Sequence, residues 1–211
     1  MAIKVANNQS LTAITALPSA VTGGAMTLIS TTTVSSSSTV NITSGIDSTY
    51  KEYIIKVINA HPANNTQLEF HCSIDGGSNF NTNMTTTAFQ SFHKEDGSGG
   101  ALSYRAGDDL ANGTDEDSNT STYATLSNSI GNNNNMCGES IIHLFDPSNT
   151  TFVKHFIAVT QTYMDRDSTQ LASPCQFVAG YVNTTSAVNA VSFRMVSGNF
   201  DSGTIKLYGI S

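Results

Sequence analysis

The 211-residue chain is 38% hydrophobic but only 12% charged, and Ser, Thr and Asn supply 27, 27 and 20 positions, or 74 in all. Globular domains are roughly 25% charged, so polarity here rests on hydroxyls and amides, unlike the Ala, Glu, Lys and Leu of helical bundles. A net charge of −7 with only 9 Lys plus Arg argues against nonspecific nucleic-acid binding and against a basic membrane-surface helix.

Residues 1–44 carry one charged side chain, Lys4, together with Gly23-Gly24 and the hydroxyl-rich run from Thr31 to Thr39. Such tracts favour flexible tails. The segments Ala25–Ile29 and Thr39–Thr43, however, are β-branched and strand-like. This stretch is expected to form an extended arm, ordered by a neighbour or by packing on the main body. Asn7, Asn8 and Gln9 make a poor signal-peptide core, and no apolar run reaches the roughly 18 residues needed to cross a bilayer. The chain is expected to be made in the cytoplasm and left unprocessed.

From Tyr50 onward strand signals recur at short intervals. Tyr53, Ile55 and Val57 share one face, and Leu68, Phe70, Cys72 and Ile74 alternate with Glu69, His71 and Ser73 as a half-buried strand should. Asp75-Gly76-Gly77 predicts a hairpin turn. Further strands are expected over 85–93, 100–105, 122–127, 138–145, 152–163, 174–183, 187–196 and 203–209. Asp146-Pro147-Ser148-Asn149 should close a hairpin between Ile141–Phe145 and Phe152–Val159. Ser197-Gly198-Asn199 and Asp201-Ser202-Gly203 should turn the chain into its last strand. No window holds a helical period over three turns, so an all-β antiparallel sandwich or jelly roll is expected over residues 45–211.

Chemistry is sparse. Cys72, Cys137 and Cys175 are odd in number and contain no C-x-x-C pair, so buried thiols in a reducing compartment are expected. Asp115, Asp117 and Asn119 match the first, third and fifth ligand positions of a calcium loop. Thr120 and Leu126 then stand where its Gly and Glu belong, which leaves a weak calcium candidate and otherwise a solvated acidic loop between Gly107 and Asn119. His143 and His155 fall on the two arms of the 141–159 hairpin, but the five histidines and three cysteines show no zinc spacing. Gly138-Glu139-Ser140-Ile141-Ile142 starts like a nucleophile elbow and lacks the second glycine. Seven N-x-[ST] sequons are close to the five or so that composition yields by chance. Tyr104 and Tyr123, flanking the acidic loop, are the only residues nominated as an aromatic platform for a glycan.

Four stretches look familiar: Gly45–Tyr53; Ile74–Ser78; Gly138–Phe156 around Phe145-Asp146-Pro147; and Val178–Tyr181 through Gly198–Gly209. Through them the chain from Gly45 onward resembles a family of bacteriophage virion proteins common in phages of marine bacteria and cyanobacteria. The resemblance implies a jelly roll serving as a head decoration protein or as a module of a tail fibre. It also implies a homotrimer that contacts the major capsid protein or tail proteins of the same virion. It carries no catalytic residue and no cofactor. A capsid decoration (cement) protein, found in the virion after synthesis in the host cytoplasm, is therefore the first expectation. A tail component contacting host glycans is the second, and a glycan hydrolase, resting on fold analogy alone, is a distant third. The chain is not expected to be an enzyme.

Overall fold

A computed structural model describes residues 25–110, 123–165 and 171–211. The described residues form thirteen strands and no helix. In chain order these are β1 (Met26–Ser37), β2 (Thr39–Ile42), β3 (Glu52–Pro62), β4 (Leu68–Ser73), β5 (Met84–Lys94), β6 (Gly100–Tyr104) and β7 (Ala124–Thr125). There follow β8 (Gly138–Phe145), β9 (Lys154–Thr162), β10 (Met164–Asp165), β11 (Leu171–Val182), β12 (Ala190–Met195) and β13 (Phe200–Ile210). Every pairing is antiparallel. One sheet runs β1-β13-β3-β8-β9-β11-β5-β6, with β10 on β11, and the other runs β2-β12-β4-β7.

Period-two alternation explains why the strands lie as they do. In β9 each of Lys154, Phe156, Ala158, Thr160 and Thr162 is buried while His155, Ile157, Val159 and Gln161 face outward. The inward sets of both sheets meet in one core: the Phe70 ring of β4 lies 5.3 Å from Phe156 of the larger sheet and 5.5 Å from its neighbour Phe193. Tyr53, Ile55, Ile142, Leu144 and Leu207 face the same interior, so the larger sheet is covered on its inner face and open on its outer one.

Residues 26–42 are strands of both sheets. β1 pairs with β13 from Met26↔Ile210 to Ser37↔Phe200, and β2 pairs with β12 through Thr39–Ile42. Val34, Val40 and Ile42 are buried, which is why a hydroxyl-rich stretch folds here: its few apolar residues fall where each strand points inward. The rest of the expected arm, residues 1–24, lies outside the described residues.

Three local expectations need correction. Asp75-Gly76-Gly77 does turn the chain, with positive φ at both glycines. It closes no hairpin, however, because β4 and β5 belong to different sheets. β4 is buried on both faces rather than half-buried: Glu69 meets Arg194 at 2.7 Å and the His71 ring packs edge-on against Tyr123 with centroids 4.9 Å apart, so its polar face is covered by other side chains. Asp201-Ser202-Gly203 is no turn but an irregular start to β13, where the register with β3 slips twice and Gly203 has φ 151°. The Asp146–Asn149 turn between β8 and β9 is as expected: the Asn149 amide donates to the Asp146 carbonyl at 3.0 Å, and Lys51 bridges the Asp146 carboxylate at 2.9 Å.

Candidate functional site

The outer face of the larger sheet is where the described structure departs from an ordinary solvated surface. Cross-strand register places one residue from each of seven adjacent strands, β13 through β6, in a single row: Lys206, Lys56, Ile141, Val159, Phe177, Phe89 and Tyr104. All point away from the core, since their strand neighbours Ile55, Ile142, Ala158, Val178 and Ala88 are buried. Tyr104 is 60% exposed, Ile141 and Phe89 44%, Phe177 38% and Val159 36%. Phe89 and Phe177 stack with centroids 4.9 Å apart and planes 9° from parallel. That offers a flat aromatic pair to whatever covers it.

The next row runs Tyr208, Ile54, His143, Ile157, Ala179 and Thr87. His143 is held by Glu52 at 2.6 Å. Beyond it, Phe145, His155, Ile157, Ala179, Tyr181 and Thr87 line a hollow of about 510 Å³ whose surface is nearly all apolar. At Gly180 the β11 and β5 backbones approach closely: a Cβ there would stand 2.4 Å from the Thr85 carbonyl oxygen. A second hollow of about 560 Å³ adjoins it under the β8–β9 turn, with Phe152 on its rim, 69% exposed. The turn is rigid, since the Asn149 side-chain oxygen accepts from the Thr151 and Phe152 amides at 2.7 and 2.9 Å. Lys154, buried beneath, donates from Nζ to the Phe152 and Thr184 carbonyls at 2.7 and 3.2 Å. Burial lowers the Lys154 pKa and the nearby Asp146 carboxylate opposes that.

The two nominated tyrosines are not brought together. Tyr104 stands at the β6 end of the ladder, donating its hydroxyl to the Asp109 carboxylate. That acceptor raises the pKa of the phenol above its ordinary value. Tyr123 lies against the smaller sheet: it is buried, donates to Ser192 at 3.1 Å and carries the Arg194 guanidinium 3.9 Å over its ring. Its faces are used for packing, so it offers no platform for a sugar. Asp115, Asp117 and Asn119 lie outside the described residues. Among the described residues no three His, Cys, Asp or Glu side chains gather as metal ligands. Ser140 is buried within β8 against the Thr160 hydroxyl at 2.8 Å, and the three thiols are unbridged, with burial raising the pKa of Cys72 most.

Comparison with protein-family models, with curated proteins and with solved structures gave no match. The face therefore has to be read from its own chemistry. Sequence reasoning found the strands that build it but not the face itself. Its signal was present, in the apolar residues alternating with other apolar residues in 141–145, 156–159 and 177–178, where a one-sided strand alternates with polar ones.

Proposed function

We propose that this chain is a structural protein of a bacteriophage virion, a capsid decoration or cement protein that binds the head surface as a symmetric oligomer. The observation that carries the reading is the apolar outer face of the larger sheet, in a fold whose strand order suits such a role. β1-β13-β3-β8 and β2-β12-β4-β7, with the chain passing between sheets after β1, β2, β3, β4, β6, β7, β11 and β12, follow the order of a double Greek key. We read the fold as a jelly roll in which β5, β6 and β9–β11 are insertions that widen one sheet beyond β8. Jelly rolls recur in capsid and lectin domains, and fold alone names no function. The widened part is where the aromatic ladder lies, so the insertions have a use on this reading: they make a surface through which copies of the chain assemble into the oligomer. The resemblance of Gly45–Gly209 to phage virion proteins supports the same assignment, with the head or tail proteins of that virion as the partners.

A tail component that contacts host glycans is the second reading, favoured by the ring-lined hollow of Phe145, His155 and Tyr181 with Phe152 at its rim. Immunogold labelling of gradient-purified virions from the phage that encodes the chain separates the two. Label spread over the heads supports decoration, and label confined to the tail tip supports the second reading. Virions that carry none of the chain overturn both.

A further inference from the structure

We infer that the aromatic ladder is covered by a second copy of this chain, packed face to face about a two-fold axis that runs parallel to β9 through Val159. The inference needs only the face and is independent of the virion assignment. Taking about 170 Å² for a whole side chain of this size, the exposed parts of Ile141, Val159, Ile157, Phe177, Phe89 and Tyr104 sum to roughly 450 Å². That is the apolar share of a standard interface of about 800 Å² per partner, and it falls in the range of the largest apolar patch on a typical monomer, which is often a functional surface.

The order of the ladder selects the axis. Both cations, Lys206 and Lys56, stand at one end; the stacked Phe89 and the Tyr104–Asp109 pair stand at the other. An axis along the ladder would set Lys56 on Lys56 and Lys206 on Lys206. An axis parallel to β9 reverses the ladder instead. Lys206 of one copy then faces Tyr104 and Asp109 of the other, Lys56 faces Phe89, Ile141 faces Phe177, and Val159 meets itself. The ammonium groups gain aromatic faces and a carboxylate. The flanking rows are compatible: on the same axis Glu139 faces Cys175, His143 faces Ala179 and Phe145 faces Tyr181, while Gln161, Ile157 and His155 of β9 meet their own copies, His155 being the one ionisable side chain in these rows that opposes itself. Because the interface is isologous, each contact is made twice. A two-fold pair also differs from the trimer that the resemblance implies.

Sedimentation equilibrium of the full chain should give a mass near 44.6 kDa, twice 22.3 kDa. Phe177→Asp, on an outward position, should weaken self-association roughly 30-fold or more while thermal unfolding stays cooperative. Lys206→Glu should weaken it as well, and the double variant Lys206→Glu with Asp109→Lys should recover association to within about threefold of the parent. A monomer or trimer of the parent overturns the inference. So does a dimer insensitive to Phe177→Asp, or a charge reversal that fails to rescue. The chain truncated of residues 1–24 should pair as the parent does; a monomeric parent that pairs only after this truncation would mean that those residues, and not a second copy, cover the face.

Discussion

Truncation at residue 44 and truncation at residue 24 have opposite expected outcomes, and the difference tests whether residues 26–42 are part of the fold. Deleting residues 1–44 removes β1 and β2, and with them the buried side chains of Val34, Val40 and Ile42. At about 1.5–3 kcal/mol for each fully buried aliphatic side chain, the direct loss is roughly 5–9 kcal/mol. The deletion also strips the partner strand from β13 and from β12, leaving Ile205, Leu207 and Phe193 less covered and two long edges open to aggregation. Native stability is about 5–15 kcal/mol in total, so the shorter chain should lack a cooperative thermal transition and should be insoluble or bind hydrophobic dye. Deleting residues 1–24 leaves every described strand pair in place, and its melting temperature should stay within a few degrees of the parent. A 45–211 chain that melts cooperatively near the parent temperature would refute the reasoning.

Phe70→Ala should cost about 3–5 kcal/mol in urea unfolding at constant m, because the ring bridges the sheets between Phe156 and Phe193; a cost under about 1 kcal/mol would mean that the sheets do not share a core. The Asp75 carboxylate accepts from the Asn79 side chain, the Ser73 hydroxyl and the Asn79 amide, which depresses its pKa to about 2. A depressed carboxylate stabilises fully above its ordinary value of 3.8 and loses that contribution as pH falls towards about 2. Asp75→Asn should therefore flatten the acid limb of the stability profile between those values, and carboxyl-carbon NMR reads the titration directly. Lys154→Met keeps the packing but leaves the Phe152 and Thr184 carbonyls without their donor, and should cost about 1–3 kcal/mol. An unchanged unfolding midpoint would show that those bonds do not hold the β8–β9 turn.

Much of the fold was legible because alternation reports directly on which face of a strand is buried. Residues 138–145 were expected as a strand and are one from end to end; 85–93 and 152–163 lie within two residues of the observed ends of β5 and β9, and 187–196 starts three residues ahead of β12. Sheet membership was not legible. The same Asp-Gly-Gly that makes a tight hairpin also carries β4 out of one sheet towards β5 in the other, since local turn chemistry sets φ and not the destination. β4 misled for a different reason: Glu69 and His71 read as a solvent face, and only tertiary structure supplies Arg194 and Tyr123 to cover them. The hydroxyl-rich run from Thr31 to Thr39 was expected in an extended arm; its residues fall instead in β1 and the start of β2, with Val34 buried and β1 paired to β13 at ten positions from Met26 to Ser37. For the site, Tyr104 was nominated for exposure beside an acidic loop, and it does close the aromatic ladder. Tyr123, chosen on the same ground, is buried because sequence distance from a loop says nothing of which sheet a ring packs on.

The claim that joins these observations is that the outer face of the larger sheet is an assembly surface. Carbene footprinting of the chain in its assembled form and after dissociation by dilution tests it most directly. Ile141, Val159, Phe177 and Phe89 should lose most of their labelling on assembly, while Ile74 and Val196, exposed just past the ends of β4 and β12 in the smaller sheet, should label equally in both. Equal labelling of the ladder in the two states would contradict the account.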